Sequence, residues 1–268
     1  MSAKPANDSI EPYVTRQRNG AAIALSLNRG EHLNPLSLAM ITALQAALDE
    51  IAEDCSIRVI VLRGEGRGFC AGHDLDEMRR FEGDDARLTE LFESCNRLML
   101  TITQLPQPVI ARVHGIATAA GCQLVSMCDL AVADESAKFA MPGINIGVFC
   151  STPAVGVARN IGRKHSMEML LTGDVIDAAR ALEWGLVNRV VPSDSLDSEI
   201  RQFTDRILAR SGVVIALGKK AFYEQLDSGL ESAYAIAARA MARNLKFEDA
   251  VEGIDAFFAK RPPSWRNL

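Results

Sequence analysis

The sequence has no apolar run near the roughly 18 residues that a membrane span needs. Its opening stretch, Met1 to Pro12, is polar and carries no apolar core, so no secretory signal is expected. Basic residues are not in excess. Lys and Arg number 29 against 34 Asp and Glu, a net charge of −5, which is not the footprint of a nucleic-acid binder. The six cysteines (Cys55, Cys70, Cys95, Cys122, Cys128, Cys150) form no CxxC pair and no disulfide-framework spacing. Most are expected to be small buried hydrophobes in a reducing compartment, with the cytoplasm as the default, and no metal site is expected.

What is present fits a large α/β unit. The 268 residues are 48% hydrophobic and 24% charged, enough for one large domain or one domain with a small appendage. Tyr13–Arg18 and Ala21–Leu27 read as a hairpin around Asn19-Gly20. The stripe Leu36, Met40, Leu44, Leu48, Ile51 predicts a helix over 36–52. Strands are expected at Val59–Leu62, Val109–Val113, Leu130–Ala133, Lys138–Ala140 and Val187–Val191. Asp74 with Glu77 resembles a capping box, 79–87 reads as a mobile surface excursion, and a helix is expected over 88–104. Thr152-Pro153 reads as an N-cap followed by proline at the first helical position. Helical spacing recurs over 178–183, 196–208, 212–225 and 230–244, so strands come first and helices last.

Two glycine-bearing stretches stand out: Cys70-Ala71-Gly72-His73-Asp74, and His114-Gly115-Ile116-Ala117-Thr118-Ala119-Ala120-Gly121-Cys122-Gln123. Each follows a β-branched run and opens into a helical pattern. Small residues there expose backbone N–H groups at a helix start, where negative charge is favoured. The competing reading is two tight strand-to-helix turns with no ligand. His114, at the end of a strand, is expected to be a hydrogen-bonded packing histidine, and Asp74 a helix cap.

The strings FCAGHDL, VHGIATAAGCQLVSMCDLAVA, MEMLLTGDVIDAARALEWGLVNRVV and FFAKRPPSW resemble the crotonase (enoyl-CoA hydratase/isomerase) superfamily over residues 12 to 265. The resemblance implies an α/β fold, a crotonase-like spiral of ββα units with a helical C-terminal trimerisation region. It divides the chain into a flexible N-terminus (1–11), a spiral core (12–200) and a helical oligomerisation region (201–268), assembled as a homotrimer or hexamer. It also implies an acyl-CoA ligand, with coenzyme A present only as part of the thioester and no permanently bound cofactor. The thioester carbonyl would sit between the backbone N–H groups of His73 and Ala120.

Hydratases of this family use two glutamates. At the matching positions this chain has Gln123 and Gly143, so both acids are missing. A glutamine amide does not titrate in water, and glycine offers no side chain. Relatives with other chemistry place an acid four residues after the glycine that here is Gly147; that position is Ser151, next to Cys150. Either residue, or the His73 imidazole, is a candidate stand-in, against bland readings as a helix entry, a buried thiol and a surface-facing ring. A methylmalonyl-CoA decarboxylase has a similar AGHD string, so decarboxylation of a malonyl-type thioester is an alternative; a non-catalytic acyl-CoA-binding or scaffolding subunit is another. For the CoA moiety the resemblance points to Cys70, Ala71 and Gly72, with Arg29, Lys260 and Arg261 as basic groups and Phe257 and Phe258 beside them. Gly30 follows Arg29 where proline is usual, which leaves the path of that loop open.

Overall fold

The structure, a computed structural model, describes residues 11–267. Of the segment expected to be flexible, 1–10 lies outside the described residues. β1 (Val14–Asn19) and β2 (Ala22–Leu27) form the expected antiparallel hairpin, with Gly20 at φ +62° in its turn. That left-handed backbone costs glycine nothing and suits a primed turn.

The chain continues through α1 (Leu38–Glu53), β3 (Val59–Gly64), α2 (Leu75–Arg80), α3 (Asp85–Gln104), β4 (Val109–Val113), β5 (Ile116–Thr118) and α4 (Ala120–Met127). Next come β6 (Leu130–Asp134), β7 (Lys138–Ala140), α5 (Ser151–Asn160), α6 (Arg163–Thr172), β8 (Val175–Asp177), α7 (Ala178–Trp184) and β9 (Arg189–Val191). Four helices close it: α8 (Leu196–Leu208), α9 (Gly212–Leu226), α10 (Leu230–Asn244) and α11 (Glu248–Phe258).

The larger sheet runs β1-β2-β3-β4-β6-β9, parallel except for β1. The smaller runs β5-β7-β8. The path β4–β5–α4, and again β6–β7 into the helices beyond, steps from one sheet to the other and then into helix; this repeat makes the spiral. β3 shows why the large sheet holds. Its Val59 and Val61 pack with Leu196 and Ile200 of α8, while Ile60 and Leu62 join the main core with Met40, Leu44 and Leu48 of α1. Alternate residues of one strand thus serve two layers.

Several boundaries differ from the sequence expectation. The helix predicted from Leu36 begins at Leu38, capped by Ser37, whose hydroxyl accepts from the Met40 N–H. Leu36 instead pairs as a lone bridge with His73. Within the surface excursion of 79–87 only the ends are helical, on either side of a turn at 81–83: α2 ends at Arg80 and α3 starts at Asp85, capped by Asp84. The capping box is half made. Asp74 accepts from the Glu77 N–H, but the Glu77 carboxylate turns away to accept from the Leu38 N–H. α5 starts at Ser151 with Cys150 at its N-cap, so Thr152 is inside the helix and Pro153 sits at its third position. Proline is tolerated there because N–H groups of the first turn have no intrahelical acceptor. β5 and β8 have no counterpart among the expected strands, whereas α11 lies in the region expected to be helical.

α9 is tied to the core by a half-buried ion pair. The Lys219 ammonium lies 2.6 Å from Asp129 Oδ2 and also donates to the carbonyls of Ile102 and Gln107. Tyr223 donates to Asp129 Oδ1 at 2.9 Å. Burial lowers the Lys219 pKa and raises that of the Tyr223 phenol. The C-terminal strap is held separately, with Asp249 accepting from the N–H groups of Arg266 and Asn267.

Candidate active site

The two glycine stretches meet. The Cys70 N–H donates to Ile116 O, the Thr118 N–H returns to Cys70 O, and the Thr118 hydroxyl donates to Ala71 O. On its other side the first stretch is held by Ala71 N–H to Leu33 O and by Leu36 N–H to Gly72 O. Gly72 has φ +96°, and a methyl on it would lie 3.2 Å from the Ala120 nitrogen. This close approach brings the turn that carries the His73 N–H against the start of α4, which carries the Ala120 N–H. Neither donates to an acceptor among the described residues. Free donors on two segments in contact, one of them at the first position of α4, are what an anion cradle requires.

Sequence reasoning missed the residue that aims the second donor. Ala119 adopts φ +48° and ψ −120°, a region that costs a non-glycine residue about 1–3 kcal/mol. Its N–H is fixed on Ala140 O and its carbonyl on the Gln123 N–H. The strain is therefore held by the small sheet and α4 together. The one sequence signal was the run of small residues, which hides a strained alanine among glycines.

Neither of the two family positions carries an acid. Gln123 is 3% exposed, and its Oε1 is out of solvent contact without a donor. A buried unpaired polar atom of this kind costs about 1–3 kcal/mol. Gly143 lacks a side chain and also lacks room for one. A methyl there would fall 2.4 Å from Val148 O and 2.8 Å from Cys150 Sγ. The turn from Pro142 to Cys150 is held shut by Val148 N–H to Gly143 O. An acid cannot return at 143 unless that turn moves.

The candidate stand-ins differ. Cys150 is buried, which pushes its thiol pKa up; the nearby Gly143 N–H opposes this only in part. Cys70 and Cys122, fully buried, are pushed up to about 12. These are inert thiols rather than nucleophiles. Ser151 is exposed and donates weakly to Phe149 O at 3.3 Å, with no base beside it. The expectation of a surface-facing His73 ring is corrected. Its Nδ1 lies 3.2 Å from Leu36 O, and its ring meets Phe92 edge-on at 5.3 Å. A carbonyl only accepts, so Nδ1 carries the proton and Nε2 holds a lone pair, buried without a partner. Burial lowers this imidazole's pKa and keeps it neutral. His114 is hydrogen-bonded as expected, its Nε2 donating to Gly66 O at 2.9 Å.

The basic residues assigned to CoA are not gathered at the cradle within one chain. Arg29 stacks 3.9 Å from the Tyr13 ring centroid and donates to the carbonyls of Glu11, Pro12 and Asn28. It clamps the start of the described chain. Gly30 has its own reason: a methyl there would lie 2.7 Å from the Glu65 carbonyl, so the loop can close on 65–66. Arg261 grips Glu252 through both terminal nitrogens, at 2.6 and 2.8 Å. Lys260, Phe257 and Phe258 are exposed at the end of α11, the two rings at 78% and 77%. No hydrogen bond or ion pair joins this end of α11 to residues 70–73.

The double-sheet spiral, the paired backbone donors and the helical C-terminal region define a crotonase-fold protein. The chain belongs to the Enoyl-CoA hydratase/isomerase family, which matches residues 17–267. Within it the chain is similar to enoyl-CoA hydratase domain-containing protein 3, mitochondrial, of Rattus norvegicus, 44% identical over 98% of this chain and 88% of that protein. That agrees with the string Pro142–Arg159, which resembles the same subgroup. The crystal structure of human enoyl-CoA hydratase domain-containing protein 3 superimposes with TM-score 0.91 at 42% identity, covering 94% of this chain and all of that one. An enoyl-CoA hydratase of Mycobacterium smegmatis superimposes with TM-score 0.93 at 50% identity, covering 95% and 99%. The rat protein's name carries a compartment other than the cytoplasm expected from the sequence. No helix among the described residues is long and apolar enough to cross a membrane.

Proposed function

We propose that this protein binds an acyl-CoA thioester and polarises its carbonyl between the His73 and Ala120 N–H groups, without the acid pair that hydration needs. The observation that carries the reading is the pair of unengaged backbone donors held together by Gly72 and Ala119. Such a donor is worth about 2.7–4 kcal/mol to a developing oxyanion. General acid–base help is worth roughly 10²–10⁴ in rate per group, and here Gln123 cannot supply it and Gly143 has no room for it. Coenzyme A arrives as part of the ligand.

A second reading, a non-catalytic acyl-CoA-binding or scaffolding subunit, is favoured by the closed turn at Gly143, because it seals the wall where an acid would enter. A malonyl-type decarboxylase is the third, since an enolate hole alone suits loss of carbon dioxide. Assembly as a homotrimer or hexamer is part of the proposal. Phe222, Leu226, Leu230, Tyr234, Met241 and Leu245 leave a wide apolar surface on and just beyond α9 and α10, more than isolated chains usually expose. Residues 12–200 would form the spiral core and 201–268 the assembling region. Lys260 and Arg261 would then reach a neighbouring subunit's ligand, and the backbones of Cys70 and Ala71 would face the adenine.

The test is a thioester panel read by mass spectrometry on wild type, Ser151→Ala, Cys150→Ala and His73→Ala. Turnover of one thioester, lost in a variant that still binds CoA, establishes an enzyme and its working residue. Binding without turnover across the panel establishes the scaffold reading. Steady carbon dioxide release from malonyl-CoA establishes the decarboxylase.

A further inference from the structure

We propose that Asn34 is a positioning residue for the backbone donor at His73, shaping the turn that leads into Cys70–His73; this rests on the thioester reading above. The Asn34 side chain is wholly buried and bonds only to backbone. Its Oδ1 accepts from the Arg29 N–H at 2.8 Å. Its Nδ2 donates to the carbonyls of Glu65, Gly68 and Phe69 at 2.8, 3.0 and 3.1 Å. An N–H only donates and a carbonyl only accepts, so the amide has one possible orientation.

The three carbonyls belong to the turn between β3 and Cys70. Carbonyl oxygens that converge away from water repel one another, and each costs free energy unless a donor serves it. The Asn34 amide is that donor. The turn is closed tightly around it: a methyl on Gly64 would lie 2.7 Å from Nδ2 and 2.3 Å from Phe69 O. The backbone beside Asn34 holds the residues that follow. Leu33 O accepts from the Ala71 N–H at 2.9 Å, and the Leu36 N–H donates to Gly72 O at 2.7 Å. Leu36 also pairs with His73, and its carbonyl accepts from the His73 Nδ1. One side chain thus fixes 65–69 while its own segment fixes 71–73.

The segment is strained to do so. Leu33 and Asn34 stand in succession at φ +61° and +52°. That region disfavours a leucine, whereas asparagine is among the side chains that tolerate it. Strain of this kind persists where surrounding bonds over-determine it, as at ligand sites. A purely stabilising amide needs neither the strain nor the tie to 71–73. Gln107 is such an amide, buried and bridging the carbonyls of Ile51 and Ile57.

The test is isotope-edited infrared spectroscopy of butyryl-CoA, labelled at its thioester carbonyl and bound to the full chain. A hydrogen bond weakens the C=O bond and lowers its stretching frequency. Wild type should hold the band below its position in buffer. Asn34→Gly keeps the left-handed backbone and removes the amide; it should still bind saturably, with the band moved back toward the buffer position. Gln107→Met should leave the band where wild type has it. If Asn34→Gly does not fold, the isosteric Asn34→Asp decides by the same reading, since its carboxyl gives at most one hydrogen to the three carbonyls. A wild-type band position in the folded Asn34 variant, or the same displacement in Gln107→Met, makes the residue a structural one. Either result overturns the assignment and leaves the thioester reading standing. A wild-type band no lower than in buffer, or no binding, overturns both.

Discussion

Gly121 and Cys70 are in backbone contact: a methyl on Gly121 would lie 2.1 Å from the Cys70 carbonyl oxygen. This contact joins the start of α4 to the segment that carries His73, so it sets the spacing of the two donors. Gly121→Ala must drive them apart, because neither partner is a flexible side chain. We expect a loss of about 1–3 kcal/mol in urea unfolding from overpacking and about tenfold or more in butyryl-CoA affinity. Unchanged affinity in a folded Gly121→Ala protein would separate the contact from the site.

Ala119 holds the strained turn. Glycine there should be neutral or stabilising by up to about 1 kcal/mol, since it adopts positive φ freely. Ala119→Val should cost more than about 2 kcal/mol, because a β-branched residue at positive φ is a true outlier. Thermal melts of the two variants check the order. A more stable valine variant would contradict the strained geometry.

The buried His73 imidazole gives a pH signature. Its folded pKa lies below the ordinary histidine value of 6.5 because burial penalises the charged ring. As pH falls below 6.5, the unfolded chain takes up the proton first, so stability is lost through that window down to the lower folded value. Above 6.5 this residue contributes no pH dependence. The ring's neighbours, Phe92 and the Leu36 carbonyl, do not titrate. Between pH 7.5 and 5 the urea midpoint of wild type should fall relative to that of His73→Phe. Parallel curves would place the ring in solvent.

Lys219 and Asp129 anchor α9, which leads into the proposed assembly face. Lys219→Met leaves a half-buried carboxylate without its cation and should destabilise by about 1–3 kcal/mol. The double variant with Asp129→Leu should recover much of that loss, because the charge left unpaired is gone as well. Denaturant unfolding of the single and double variants measures the coupling; simple additivity would mean that the pair does not interact.

Much of the fold was legible because each signal was local. The Asn19-Gly20 turn, the β-branched runs at 59–62 and 109–113, and the stripe of α1 each specify their own geometry. The two glycine-bearing strand-to-helix junctions were legible one by one, though their meeting depends on pairings between residues 36 and 73 and between 70 and 117, which no local pattern encodes. The same tertiary pairing pulled Leu36 out of its predicted helix and turned Glu77 from its own cap to α1. The strain at Ala119 and the closed wall at Gly143 were invisible for another reason. An alanine has no intrinsic signal for positive φ, and a glycine does not disclose whether the space beside it is free. For Arg29, a basic residue at a family position was expected to reach a ligand, and the structure spends it on nearby carbonyls and the Tyr13 ring.

The central claim, a thioester cradle without its acids, is tested most directly by stopped-flow hydration of crotonyl-CoA on protein whose crotonyl-CoA binding is measured in the same preparation. The account predicts saturable binding with hydration well below the ordinary enzyme range of about 1–10³ s⁻¹. It also predicts no gain in Gly143→Glu, whose side chain meets Val148 O and Cys150 Sγ. Hydration by wild type at an ordinary rate, or no binding at all, would contradict it.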